Sequence, residues 1–487
     1  MAPATTPRCT TGIAGLDDVL GGGFPCRRLY LIQGTPGAGK TTLALQFLLE
    51  GAKVGERVLY ISMSESREEM QAVATSHGWS LDGVEMLEVS DRSDEENTLF
   101  HPAEVELGER MHLILGELAR VKPSRVVLDS CTELRLLAQN PIRYRRQVLS
   151  LKAGLVEQNR TVLLIDNPST DSPDMLLQSL AHGVLTMEQL HPNFGVERRR
   201  LRVLKMRGVP YRGGYHDFVI QTGGLAVFPR LVASEHRAPA QEALFATGEG
   251  ELDALLGGGL ARGTSTLVMG PAGSGKSSFA TLYAVRAAER GERVALFAFD
   301  EGRETLLARS RSLGMPLEPA IASGHLTVQQ IDPAELSPGQ FAHGVRAAVE
   351  RGARMVILDS LNGFLQAMPD DTFLTLQLHE LLAYLAQKGV LSLLLVAQHG
   401  VVGQELESPA DVSYLADTVV LMRFFESEGA VHKAISVMKK RTGAHETTIR
   451  EYELSSRGFT FGRPLTELRG VLSGIPEQRV REARSGG

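Results

Sequence analysis

Cysteine is scarce in this chain: Cys9, Cys26 and Cys131 are the only three among 487 residues. Far apart in sequence and without ligand-like spacing, they offer neither a disulfide framework nor a zinc cluster, and they fit a reducing compartment. No apolar run approaches the roughly 20 residues that a membrane-spanning helix needs, and the longest, residues 391–397, suits a buried strand. The opening residues, MAPATTPR, lack the apolar stretch of a secretory signal, so a cytoplasmic protein without membrane partners is expected. Positive charge is not in excess either. Lys and Arg number 51 against 57 Asp and Glu, a net charge of −6, which does not suggest a chain built around nucleic acid. What is present is ordinary for a globular protein, 43% hydrophobic and 22% charged, in a chain long enough for two or three domains.

The chain repeats itself. T-G-I-A-G-L-D-D-V-L-G-G-G runs from Thr11 to Gly23, and T-G-E-G-E-L-D-A-L-L-G-G-G runs from Thr247 to Gly259, an offset of 236 residues (247 − 11). The same offset carries Gly34 to Gly270, Lys40 to Lys276, and the tetrapeptide G-E-R-V at Gly55 to its copy at Gly291. A repeat this long is a duplicated domain rather than a solenoid. The expected domains are residues 1–233 and 241–466, joined by a linker near 234–243, with a short charged tail at 467–487.

Within each copy, Val/Leu/Ile runs alternate with amphipathic stretches. Strands are expected at 29–33, 57–63, 125–129 and 161–166, and again at 265–269, 293–299, 355–359 and 391–397. Continuous apolar strands separated by helices imply a mostly parallel sheet flanked by helices on both faces. Residues 200–228 and 418–461 read as additional antiparallel strands. The fold class is therefore α/β, two tandem RecA-like P-loop domains.

Each copy has one glycine-rich loop between strand and helix: Gly34-Thr-Pro-Gly37-Ala38-Gly39-Lys40-Thr41-Thr42 and Gly270-Pro-Ala272-Gly273-Ser274-Gly275-Lys276-Ser277-Ser278. The glycines let successive N–H groups turn toward phosphate oxygens, and the following helix adds the positive end of its dipole. Lys40 and Lys276 reach the β- and γ-phosphates of ATP, and the hydroxyls of Thr41 and Ser277 ligate Mg²⁺. A later strand should end in the partner carboxylate; Asp129 closes R-V-V-L-D-S and Asp359 closes M-V-I-L-D-S. In RecA-like ATPases a Glu after the next strand handles the attacking water, which singles out Glu65, and Glu301 with Asp300 beside it. The basic pairs Lys205-Met206-Arg207 and Lys439-Lys440-Arg441 recur late in each copy, where in a ring they can reach the γ-phosphate of a neighbouring subunit.

Taken together, the T-G-x-x-x-L-D openings, both loops, the Glu positions, the K-x-R pairs, I-R-E-Y (Ile449 to Tyr452) and V-L-S-G-I-P (Val471 to Pro476) resemble the KaiC family of circadian-clock ATPases and autokinases over nearly the whole chain. The resemblance implies a homohexameric double ring, a slow ATPase in the first half, and autokinase and autophosphatase activity in the second. It also names a KaiB-like protein as a candidate partner. Carried over by position, D-V-S-Y-L-A-D-T-V (Asp411 to Val419) makes Ser413 a phosphoacceptor and puts Tyr414 where the family has Thr, a second candidate acceptor. Lys433 is implied as a phosphate contact. Two departures stand out: Ser64-Glu65 replaces a pair of glutamates, and the tail is shorter than the family's docking tail for an activating partner.

The RecA-like fold also serves recombinases and DNA motors. N-P-I-R-Y-R-R-Q (Asn140 to Gln147) keeps that alternative in view, because a Tyr among arginines can stack a base. The plainer reading, a helix with a solvated basic face, is preferred, as for Arg198-Arg-Arg200. A nucleotide-gated scaffold without turnover is the third alternative. Cys131 and His445 are taken as structural.

Overall fold

The Val-, Leu- and Ile-rich runs become strands buried along their length, as a sheet covered on both faces requires. The structure, a computed structural model, describes residues 6–89, 103–138, 140–156, 159–167, 175–191, 195–236, 243–366, 374–398, 413–473 and 477–478. The chain divides into two units, Met1–Arg230 and Leu231–Gly487. Residues 237–242 of the expected linker, Asp411 and Val412 of the acceptor stretch, and most of the tail lie outside the described residues.

In the first unit β1 (Leu29–Gly34) passes through the glycine-rich loop into α1 (Lys40–Lys53). There follow β2 (Val58–Ser62), α2 (Arg67–Ser76), β3 (Val84–Glu88), α3 (Ala103–Val121), β4 (Arg125–Asp129), α4 (Cys131–Ala138), α5 (Pro141–Val156) and β5 (Thr161–Asp166). The unit closes with α6 (Met175–Leu180), β6 (Gly183–Leu190), β7 (Arg198–Met206), β8 (His216–Gln221) and β9 (Gly224–Phe228). Its nine strands lie in the order β9-β8-β7-β6-β1-β5-β4-β2-β3. The six from β6 to β3 are parallel, and β7, β8 and β9 extend the sheet antiparallel.

The second unit repeats this plan with β10 (Ser265–Gly270), α7 (Lys276–Glu289), β11 (Arg293–Ala298), α8 (Arg303–Ser312), α9 (Glu318–Ala322), β12 (Leu326–Gln330), α10 (Pro338–Glu350) and β13 (Ala353–Asp359). Then come α11 (Leu361–Gln366), α12 (Leu374–Gln387), β14 (Leu391–Ala397), β15 (Thr418–Ser427), β16 (Ala430–Lys440), β17 (Arg450–Ser455) and β18 (Gly458–Pro464). The order is β12-β11-β13-β14-β10-β15-β16-β17-β18. In both sheets the strand feeding the glycine-rich loop is central, so the loop emerges with covered strands on either side.

Each sheet buries two apolar layers. In the first unit one layer lies under α1, with Leu43, Phe47 and Leu48, and the other under α3 to α5, with Ile114, Leu134 and Val148. The T-G-x-x-x-L-D openings prove to be turn locks. Asp17 accepts from the Thr11 N–H at 3.0 Å, and Asp253 accepts from Thr247 N–H and Gly248 N–H, each at 2.8 Å.

Three expectations are revised. Cys9 and Cys26 are joined as a disulfide with their Cα atoms 5.5 Å apart, because a short antiparallel pairing of Arg8–Cys9 with Phe24–Pro25 closes the opening motif into a hairpin. Separation along the chain concealed that closeness. The stretch 418–461 is not wholly antiparallel, since β15 runs parallel to β10 before turning back into β16. Finally, β3, β6 and β12 were not anticipated. β3 and β12 are edge strands with mixed polar and apolar residues, which the search for apolar runs passes over.

Candidate functional site

At both loops the chain turns through left-handed glycines, Gly37 (φ 80) and Gly39 (φ 89) in the first unit, Gly273 (φ 78) and Gly275 (φ 96) in the second. A Cβ at Gly39 would stand 2.6 Å from Ile220 Cδ1, and one at Gly275 the same distance from Leu454 Cδ1, so these positions need glycine for space as well as for φ. α1 and α7 begin at the lysine with no side-chain cap, leaving their first N–H groups for a ligand.

Both lysines are buried and fold back onto their own loop. Lys40 Nζ donates to the carbonyls of Gly34 (2.8 Å) and Thr35 (2.9 Å), and Lys276 Nζ to those of Gly270 (2.9 Å) and Pro271 (2.8 Å). Burial lowers the Lys276 ammonium to about 8, against the opposing pull of Asp359. Lys40 is lowered too, by burial, with Asp129 and Asp166 acting the other way. A buried cation whose hydrogen bonds go to its own loop carbonyls is poised for a polyanion.

The strand-end aspartates sit where the sequence puts them. Thr41 Oγ1 donates to Asp129 Oδ2 at 3.1 Å, and a Ser277 hydroxyl bond helps to offset the upward shift of Asp359. Burial raises both carboxyls. One carboxylate and one hydroxyl per site make a hard, all-oxygen donor set that would suit Mg²⁺. Among the described residues no cluster of three or more His, Cys, Asp or Glu forms a separate metal cage.

Beyond this shared frame the two sites differ. In the first, Tyr60 donates to Asp129 Oδ2 at 2.6 Å, and Glu65 is raised by burial and by nearby Asp129 and Glu69. In the second, Arg309 grips Glu301 with two bonds (Nε–Oε1 3.1 Å, Nη2–Oε2 2.8 Å), and Ser360 Oγ donates to Asp300. Sequence reasoning missed Tyr60 and Arg309, as well as Asp166, a fully buried acid at the end of β5 bonded to Gln33 and Arg135. Arg309 stands eight residues, about two helical turns, beyond Glu301. The absence of a basic residue at the matching Val73 was the one available signal.

The K-x-R pairs lie at the other end of each sheet from the loop of their own unit. The Arg207 N–H bonds His182 O, four strand positions before Thr186, which is level with Gln33. The Arg441 N–H bonds Asp417 O, four before Leu421, which is level with Met269. Either interval is roughly 13 Å of strand. Lys205 Nζ donates to Gln178 O (2.6 Å) and Arg207 to Ser179 O (2.8 Å). Likewise Lys439 Nζ donates to Ser413 O (3.2 Å) and Arg441 to Tyr414 O (3.2 Å). Met206 is buried in the core, and Lys440 turns back onto the carbonyls of Leu256 and Gly259. Ser413 is half-buried and Tyr414 exposed. Lys433 lies over the Phe424 ring at 5.9 Å, and Phe424 borders Gly273 of the loop.

Tyr144, the aromatic that kept base stacking in view, is buried in the core beneath Arg135. Arg199 and Arg200 are paired with Glu197 (3.0 Å) and Glu188 (2.8 Å). Among the described residues no helix is long and apolar enough to cross a membrane.

Comparison with known proteins places this geometry in a family. The family model described as "ATPase: KaiC" matches residues 9–232 and again 245–465. The chain is 27% identical over 481 residues to the circadian clock oscillator protein KaiC of Parathermosynechococcus lividus, covering 96% of this chain and 88% of that one. It is 25% identical over 478 residues to the circadian clock protein KaiC3 of Synechocystis sp., covering 96% and 94%. It is 26% identical over 500 residues to the KaiC of Parasynechococcus marenigrum, covering 98% and 94%. With two loops, two strand-end aspartates and a family match to each unit, the chain belongs to the KaiC family of ATPases.

Proposed function

We propose that each unit binds and hydrolyses Mg-ATP, and that the second unit also transfers the γ-phosphoryl group to Ser413 of a neighbouring copy within a homohexamer. The observation that carries this reading is the placement of Lys439, Arg441 and Ser413 together, roughly 13 Å along the strand from the loop of the same unit. A finger and an acceptor so placed serve the ATP of the next subunit rather than their own. Lys205 and Arg207 occupy the equivalent end of the first sheet.

Lys40 and Lys276 move from their loop carbonyls to the phosphates when ATP enters. Thr41 with Asp129, and Ser277 with Asp359, would hold Mg²⁺, which would supply charge neutralisation at the phosphates. Glu65 in the first site, and one of the neighbouring acids Asp300 and Glu301 in the second, orients the nucleophile and receives its proton. In the transfer step the Ser413 oxygen bonds to the γ-phosphorus, the bond from that phosphorus to the bridging oxygen breaks, and ADP leaves. The names of the relatives, circadian clock proteins, support a timing role; a cytoplasmic location and a KaiB-like partner are part of the same proposal.

Incubating the chain with Mg-ATP while following ADP release and intact mass tests the reading. ADP release with one added phosphate, absent in Ser413→Ala, is expected. ADP release without added mass overturns the kinase and leaves the ATPase, and phosphate that persists in Ser413→Ala moves the acceptor to Tyr414 or elsewhere.

A further inference from the structure

The two ATP sites carry the same kind of glycine-rich loop, hydroxyl and strand-end aspartate, yet the side chain facing the candidate glutamate differs. The offset of 236 that superimposes the motifs takes Thr42 to Ser278, Glu65 to Glu301, and Val73 to Arg309. Val73 is a half-buried apolar residue on α2, packed against the core. Arg309, at the same place on α8, reaches back across two turns of its helix. Its guanidinium meets both oxygens of Glu301, at 3.1 and 2.8 Å, and its third nitrogen donates to Ser278 Oγ at 3.2 Å. Ser278 follows the Mg²⁺-ligating Ser277 at the start of α7, so this fork ties the strand-end carboxylate to the base of the phosphate loop. Both partners are about three-quarters buried, with side-chain exposures of 24% and 22%, which sets the pair apart from a loose surface contact. A bidentate arginine fork also fixes orientation, which a lysine does not. Among the described residues no arginine grips the Glu65 carboxylate in this way; the Glu65 backbone bonds Ser62 Oγ.

We infer that Arg309 is a positioning residue that withholds Glu301 from water activation in the second site, sparing bound ATP for transfer to a hydroxyl, while the first site, with Val73, leaves Glu65 free to act on water. This rests on the reading of both loops as ATP sites. A carboxylate whose two oxygens accept from one guanidinium has fewer lone pairs to turn toward a water, and the fork holds it in one orientation. Asp300, which accepts from Ser360 and not from Arg309, is left as the carboxylate available to a hydroxyl nucleophile. The difference between the sites then lies in the choice of nucleophile rather than in nucleotide binding.

The full chain with its first site silenced by Lys40→Ala isolates the second. In that background Arg309→Val is expected to raise ADP release about tenfold, a part of the roughly hundredfold or more that a positioned base contributes, with KM for ATP little changed. Arg309→Lys should fall between the two, since a lysine keeps the charge but not the fork. The reciprocal exchange, Val73→Arg in a Lys276→Ala chain, is expected to slow first-site hydrolysis. A structural role alone lowers activity on substitution and cannot raise it. Unchanged or slower ADP release from Arg309→Val, with fluorescent-ATP binding intact, overturns the clamp and leaves the ATP sites standing. Loss of ATP binding already in Lys40→Ala overturns the second ATP site, and the clamp with it.

Discussion

Lys276 shows how much of a site's behaviour one buried charge controls. Its ammonium is held at about 8 because burial disfavours the charged form more than Asp359 favours it. ATP, bringing four negative charges against the same nitrogen, restores the proton. Binding to the second site should therefore take up a proton as pH rises through about 8, and affinity should fall above that value by at most about tenfold per pH unit. Calorimetric titration of a Lys40→Ala chain between neutral and alkaline pH, in buffers of different ionisation heat, reads both effects. A flat affinity with no proton uptake contradicts the assignment of Lys276 as a phosphate ligand. The positions of the lysines, the strand-end aspartates and the glycines of both loops were legible in the sequence because they follow from local spacing between strand and helix. Arg309 and Tyr60 were not. Each acts through space on a residue from a different strand or helical turn, and neither changes the hydrophobic pattern around it.

The sheets were legible wherever strands are buried on both faces, since an unbroken apolar run admits few alternatives. The edges were harder, as β3 illustrates: Val84 and Met86 point inward, but Glu85 and Glu88 disguise the strand. At this scale His216 is the informative residue. It opens β8, donates from Nε2 to Arg212 O at 3.0 Å and accepts the Arg230 N–H on Nδ1 at 2.9 Å, which ties this strand to the segments before it and after β9. Those two bonds require the neutral ring, and burial lowers its pKa to about 4. The unfolded histidine, near 6.5, takes up a proton first as pH falls. Folding stability of the first unit should thus decline from about pH 6.5 toward 4, by about 3 kcal/mol from this group alone. Urea unfolding of the wild type and His216→Gln at pH 7 and pH 5 checks it. The variant should lose less stability on acidification, and an equal loss in both assigns the acid sensitivity elsewhere.

At the scale of the molecule, duplication accounts for the frame, and divergence between the copies carries the proposed division of labour. Both units keep a central loop strand between parallel neighbours, an antiparallel extension, and a Lys and Arg pair at the far end of the sheet. The same offset that makes the repeat visible in sequence also exposes where the units part: Tyr60 against Leu296, and Val73 against the Arg309 that bonds Glu301. Two copies of one ATP site can then divide two tasks, each loaded by its own lysine. Steady-state ADP release from the wild type, Lys40→Ala, Lys276→Ala and the double variant tests this most directly. The account predicts turnover in each single variant, slower where only the second site remains, and none in the double. Turnover persisting in the double variant, or lost entirely from either single one, contradicts two independently loaded ATP sites.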